Sequence, residues 1–137
     1  MSGLSQLLRL QRWTLDEKRR QAGDLELLIE RLIQDINQLD AALEREIAAS
    51  RENVELQRML PGYRKSMKDR RDRLDKSLID LRSELEKLRE QITEAFSELK
   101  KTEQTVKNRE QRQRLAERRK DQAVSDEIGL QLHRRKG

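Results

Sequence analysis

The sequence has few of the side chains that build a globular core. Aromatic residues make up 2% of it and hydrophobic residues 34%, whereas charged residues make up 42%. A globular domain of this length buries a core rich in aliphatic and aromatic side chains. A chain this highly charged is either disordered or forms long amphipathic helices. The abundance of Leu, Glu, Lys, Arg and Gln favours helices, because all five are strong helix formers.

The residues on which most active sites depend are also scarce. There is no cysteine, and the five glycines are scattered, so neither thiolate chemistry nor a glycine-rich phosphate loop is available. His133 is the only histidine, whereas a metal site or a nucleophile–base pair needs more ligands or partners. Glu86, Glu90, Glu94 and Glu98 form a row that we interpret as a solvated helix face. We predict a protein that is not an enzyme and that holds no metal or cofactor.

Long apolar runs are missing as well. No run approaches the roughly 18 residues that span a bilayer, and the N-terminus lacks the apolar region of a signal peptide. The absence of cysteine fits a reducing compartment, so we expect a cytoplasmic protein. The net charge of +5 is uneven, because residues 1–60 hold 9 basic and 11 acidic residues and residues 61–137 hold 22 and 15. The second half therefore carries any attraction to an acidic partner.

Apolar residues recur in heptads along both halves of the chain, which indicates a coiled coil. In the first half the a positions are Leu8, Leu15, Ala22, Ile29, Ile36, Leu43 and Ser50, and the d positions are Gln11, Lys18, Leu25, Leu32, Leu39, Glu46 and Asn53. In the second half the a positions are Arg71, Leu78, Leu85, Ile92, Leu99, Val106, Gln113 and Lys120, and the d positions are Leu74, Leu81, Leu88, Ala95, Thr102, Arg109, Ala116 and Ala123. The fold class predicted is all-α, with two long helices.

A turn is predicted at Pro61-Gly62, because proline disfavours helix at the preceding residue and glycine tolerates a left-handed turn. The whole chain 1–137 is then one hairpin domain. Its first helix covers about 4–60, its turn about 61–65 and its second helix about 66–124, followed by a frayed basic tail at about 125–137. Folding at Gly62 places Ile29 opposite Ala95 and Leu39 opposite Leu85, so the two helices are predicted to form an antiparallel coiled coil.

Several apolar residues fall outside the a and d positions. They are interpreted either as packing that flanks the coiled coil or as a docking surface for a partner helix or domain. A lone Trp13 on the outer side is either an interface anchor or a local contact. A wider stripe through Leu28 and Ile33 leaves open whether two hairpins pair.

Two segments are strongly basic, Arg64–Lys76 and Lys107–Lys120. Such a segment is a solvated face, a surface for an acidic protein, or a site for nucleic-acid or membrane phosphate. Interleaved acidic residues and the lack of an aromatic platform argue against nucleic acid, so none is expected as a partner. The candidate partner-binding residues are Leu4, Leu8, Trp13, Leu27, Ile33, Phe96, Arg112, Arg114, Arg118, Arg119 and Lys120.

The layout resembles the FliJ family of the bacterial flagellar type III export apparatus. The C-terminal stretch Arg119–Ile128 is similar to the ending of that family, in which a basic residue and Gln precede Asp-Glu and an apolar residue. At the N-terminus the similarity lies in Leu4, Leu7, Leu10 and Leu15 leading into Asp16. The chain departs from the family at Ala123, where lysine is common, and it lacks the tyrosines that some members carry along the hairpin.

The resemblance implies a non-enzymatic, shaft-like stalk. Such a protein binds the pore of a hexameric export ATPase through its terminal segments. It also contacts the cytoplasmic domain of the membrane export gate and binds export chaperones. This implies a cytoplasmic protein that lies at the inner face of the cell membrane through protein contacts only. The stalk of a virulence-type injectisome and a generic coiled-coil scaffold are the alternatives.

Overall fold

The computed structural model describes residues 3–136 and contains two helices, α1 (Gly3–Ser50) and α2 (Val54–Lys136). No strand occurs among these residues. The two helices pack antiparallel as a helical hairpin, so the predicted fold class is confirmed.

The turn occupies residues 51–53 and is held by the end of one helix and the cap of the next. The backbone N–H groups of Glu55 and Leu56 donate to Asn53 Oδ1 at 3.0 and 3.3 Å, which satisfies two of the donors that a helix start leaves free. At the end of α1, the buried Ser50 donates its hydroxyl to the carbonyl of Ile47 at 2.7 Å. Asn53 is therefore the N-cap of α2, whereas the sequence analysis had assigned it only a heptad d position.

The predicted first helix of about 4–60 and the predicted turn at about 61–65 are wrong, because Pro61 lies inside α2. No described glycine has a positive φ, so Gly62 makes no left-handed turn. In a regular helix, the backbone N–H of residue 61 would donate to the carbonyl of Gln57. Both Pro61 and Gln57 are exposed. Since water can reach that carbonyl, a proline on the solvent side disturbs the helix least.

The second helix also differs at its C-terminal end. A frayed tail was expected over about 125–137, yet α2 continues to Lys136 (Gly137 lies outside the described residues). Leu130, Gln131, Leu132 and the final Arg-Arg-Lys are good helix formers, and Gln122 donates to Asp126 one turn further on, at 3.0 Å. Its last turn holds His133, Arg134, Arg135 and Lys136. Cationic side chains at this end stabilise the helix by interacting with the negative end of its dipole.

The chain divides into two compact units. The turn unit covers Leu15–Glu94, and the terminal unit combines Met1–Thr14 with Ala95–Gly137. The turn unit contains the hairpin turn and the buried apolar cluster of the fold. The terminal unit contains both chain ends.

The core of the turn unit follows the predicted heptads. Its cluster comprises Ala22, Ile29, Leu85 and Leu88, and Leu25 packs against it. Each of these five residues stands at a predicted a or d position. At the next d position, Lys18 forms a polar layer by donating to Gln91 Oε1 at 2.9 Å. The heptad phase read from the sequence is therefore the phase that the helices use.

The predicted pairing between the helices is wrong, although the phase is right. Ile29 packs in one cluster with Leu85 and Leu88 instead of facing Ala95. Across the helices, Arg89 pairs with Glu26, with its guanidinium 3.4 Å from the carboxylate. Ile29, Glu26 and Lys18 thus meet partners about one to two heptads nearer the turn than expected. A shift by whole heptads keeps a and d positions together, so the heptad pattern permits it.

Candidate partner-binding surfaces

In the terminal unit, Leu4 and Leu8 belong to the contact between helices. Leu4 and Leu8 are half-buried and line a cavity of about 620 Å³ together with Val106, Arg109 and Gln113 of α2. The guanidinium of Arg12 on α1 lies 3.9 Å from the carboxylate of Glu103 on α2. Leu4 and Leu8, predicted as partner-binding residues, thus contribute to packing and to the wall of this cavity.

The two aromatic candidates of the terminal unit face solvent. Trp13 is 64% exposed and Phe96 is 43% exposed. The Lys100 ammonium lies 5.3 Å from the centre of the Phe96 ring, within the range of a cation–π contact. Trp13, with the 59% exposed Leu10 three residues before it, forms an apolar patch that the described part of the chain leaves uncovered.

The basic candidates all lie on the exposed C-terminal part of α2. From Lys107 to Lys136 every residue is exposed. Between Lys107 and Lys120 there are seven basic and two acidic residues. Within residues 3–136, no ion pair involves any of the five candidates, which are Arg112, Arg114, Arg118, Arg119 and Lys120. These cations are therefore available to a partner.

Helical geometry distributes the basic candidates around the helix. Arg114 and Arg118 are four residues apart and share one face, whereas Arg112 and Arg119, two turns apart, share another. Lys120 points to a third side. A flat acidic partner would meet one of these faces, whereas a partner that surrounds the helix would meet all of them.

Exposed apolar residues beyond the basic candidates were missed by the sequence analysis. Val124, Ile128 and Leu132 are 59%, 52% and 54% exposed, and their spacing of four residues places them on one face of α2. The four-residue spacing of these apolar residues was the sequence signal that could have revealed the stripe. It was overlooked because the second helix was predicted to end at about residue 124.

The two candidates in the turn unit have different surroundings. Leu27 is 67% exposed, and the neighbouring Leu28 is 47% exposed. Ile33, in contrast, packs against the core cluster as a half-buried residue. Ile33 therefore packs beside the coiled coil, which is one of the two interpretations given for these apolar residues. Leu27 remains accessible to a partner.

A groove beside the turn was also missed. Leu56, Met59, Leu60 and Tyr63 line a cavity of about 460 Å³, together with Glu46, Arg58 and Gly62. Met59 is 68% exposed at this groove. The sequence analysis had assigned these residues to the end of the first helix and to the turn, so their common face on α2 could not be seen.

Ion pairs change the titration of a few surface groups in the turn unit. Arg71 donates to Asp40 on the other helix, and this hydrogen bond raises the pKa of Arg71. Within α1, Arg20 donates to Glu17, which lowers the pKa of the Glu17 carboxyl below its ordinary value. These are structural pairs at the partly exposed surface, and neither lies in a pocket suited to proton transfer.

The described residues contain no group of three or more His, Cys, Asp or Glu side chains placed to hold a metal ion. Across residues 3–136, neither helix has a stretch long and apolar enough to cross a membrane.

The family model described as Flagellar FliJ protein matches residues 1–137, which is the whole chain. The chain belongs to the FliJ family. Membership identifies a flagellar protein related to protein export, as the resemblance of the N-terminal leucines and of Arg119–Ile128 had suggested. No curated protein and no solved structure gives a significant match.

Proposed function

We propose that this FliJ-family chain is the non-enzymatic stalk of the flagellar export apparatus, with its terminal unit bound in the pore of the hexameric export ATPase. The observation that carries the proposal is the distribution of Arg112, Arg114, Arg118, Arg119 and Lys120 over several sides of one exposed helix. A ring encloses whatever enters it, so its acidic loops could meet cations on every side.

The apolar residues beyond the basic segment support the same interface. Val124, Ile128 and Leu132 form an exposed stripe on a single helix. Stable interfaces combine an apolar centre with a polar rim, and charged contacts contribute mainly to association rate and specificity. The arginines would then guide the helix into the ring, and the stripe would supply most of the buried apolar area.

The export gate and the export chaperones are proposed to bind the turn unit. Leu27 and Leu28 are exposed there, and the groove of Leu56, Met59, Leu60 and Tyr63 is open to solvent. Exposed apolar residues of this kind mark interaction sites on small proteins. In the proposed arrangement the terminal unit binds the ATPase, and we propose that the protein lies in the cytoplasm at the inner face of the membrane through protein contacts.

The test is charge reversal on two faces of the basic segment. We expect Arg114→Glu, Arg118→Glu and Arg119→Glu together to weaken binding to the purified ATPase hexamer by at least about tenfold and to abolish stimulation of ATP hydrolysis. Binding is measured by biolayer interferometry and hydrolysis by phosphate release.

The matched control is Arg58→Glu, Arg64→Glu and Arg70→Glu in the turn unit. These three arginines are also exposed, and none of them has an ion pair among the described residues. The control changes the net charge by the same amount and should leave ATPase binding unchanged. Equal weakening by both variants would show only a long-range charge effect. Unchanged binding by the first variant would refute the proposed interface and favour a generic coiled-coil scaffold.

A further inference from the structure

The outer side of α2 in the turn unit carries a stripe of charges separated by sign. Its residues are spaced three or four apart, so they stay on the helix side opposite the coiled-coil contact. The first part is mainly basic and the last part is acidic, with a 67% exposed isoleucine between them. The stripe consists of Lys65, Lys68, Asp72, Lys76, Ile79, Ser83, Glu86, Glu90 and Glu94, all of which are exposed.

The main charges of this stripe have no partner within the described chain. No ion pair or hydrogen bond involves Lys65, Lys68, Glu90 or Glu94. Charges to the side of the stripe do pair, as Arg89 does with Glu26 at 3.4 Å. The helix thus leaves unpaired the charges that point directly away from α1.

The acidic part also opposes helix formation. Glu86, Glu90 and Glu94 follow one another at a spacing of four, and like charges at that spacing destabilise a helix. Cations placed along this row would remove the repulsion. No lysine or arginine among residues 3–136 pairs with these three glutamates.

We propose that a second copy of this chain supplies cations to Glu90 and Glu94, through an antiparallel dimer in which the two α2 stripes face one another. Lys65 lies 14 residues before Ile79, and Glu94 lies 15 residues after it. Lys68 and Glu90 each lie 11 residues from Ile79. A two-fold axis at Ile79 therefore brings each lysine pair over the glutamate pair of the other copy.

The same geometry places the exposed Ile79 of both copies at the axis, where each covers the other. The layer inside these pairs is unfavourable, because Asp72 of one copy lies opposite Glu86 of the other, each seven residues from Ile79, so the attraction comes from the outer lysine–glutamate pairs. A parallel arrangement would set lysine against lysine and glutamate against glutamate. The charge order therefore selects the antiparallel dimer. Nothing in this inference depends on the ATPase interface, since every residue of the stripe lies in the turn unit.

The experiment is sedimentation equilibrium of the full chain over a concentration series at low and high salt. We expect a weak dimer in about 0.05 M NaCl, with a dissociation constant at least about tenfold larger in about 0.5 M NaCl. Lys65→Glu with Lys68→Glu should be monomeric, and so should Glu90→Lys with Glu94→Lys. Mixing the two variants should give a heterodimer, because one stripe is then mainly acidic and the other mainly basic.

Two further chains control for general charge effects. The chain with all four substitutions has the wild-type net charge and should dimerise again. Arg134→Glu with Arg135→Glu, in the terminal unit, should dimerise as the wild type does. Circular dichroism verifies that each variant is helical. A wild type that is monomeric at every concentration and salt would overturn the inference. So would a dimer that survives both charge reversals.

Discussion

The turn unit and the terminal unit are built from the same two helices, yet they bury their side chains very differently. The turn unit contains the cluster of Ala22, Ile29, Leu85 and Leu88. In the terminal unit, Leu99 is 6% exposed and Thr102 is 8% exposed, and from Lys107 onward every described residue faces solvent. Helices in proteins gain most of their stability from the packing of an apolar face. The turn unit therefore supplies stability, and the terminal unit keeps its side chains available for partners.

The largest effect should come from shortening a core leucine. Leu85 is 6% exposed, and we expect Leu85→Ala to lower the free energy of unfolding by about 2–5 kcal/mol, because a cavity replaces its packing. Alanine keeps the helix propensity, so the loss reports packing. The measurement is urea unfolding followed by circular dichroism.

Leu115→Ala is the matched substitution in the terminal unit. Leu115 is 48% exposed, so we expect a change within about 0.5 kcal/mol. If both substitutions had the same effect, the contrast between a stabilising unit and an available unit would be wrong.

A smaller loss is expected at the helix cap. Asn53→Ala removes the oxygen that accepts from the N–H groups of Glu55 and Leu56, which should cost about 1 kcal/mol. Gln122→Ala in the terminal unit breaks only the exposed contact with Asp126 and should cost about 0.2–0.5 kcal/mol. The same urea titration measures both. A larger loss for Gln122→Ala would contradict the role given to the turn.

The smallest effect concerns Glu17, whose pKa is lowered by the hydrogen bond from Arg20. A carboxyl with a lowered pKa stabilises the fold above its unfolded pKa, and this contribution is lost as the pH falls through its folded pKa. NMR titration should show the pKa of Glu17 rising toward the ordinary range in Arg20→Ala. An unchanged pKa would mean that the pair does not form in solution.

Periodicity predicted the helices and their contact faces, but it could not fix where the chain turns. Heptads repeat every seven residues, so moving the turn by whole heptads still places apolar residues opposite each other. Pro61-Gly62 was the strongest turn signal in the sequence, yet an exposed proline fits within a helix. Asn53, which the heptads had placed at a d position, forms the cap because its side chain meets the free N–H groups of α2.

The candidate surfaces were predictable to the extent that residue type alone decides exposure. Arginines of the second basic segment are exposed as any charged helix face would be. The division of the apolar candidates between packing and solvent was not predictable. Ile33 lies on the edge of the core, whereas Leu27 lies outside it, and this depends on which side of α1 the second helix covers.

The most direct test of the division of roles is hydrogen–deuterium exchange of the full chain, alone and with the purified ATPase hexamer. The account predicts slow exchange around the core cluster in both states. It predicts rapid exchange over residues 114–136 in the free protein and strong protection of that segment when the hexamer is added. Protection confined to the turn unit, with residues 114–136 still exchanging rapidly, would contradict it.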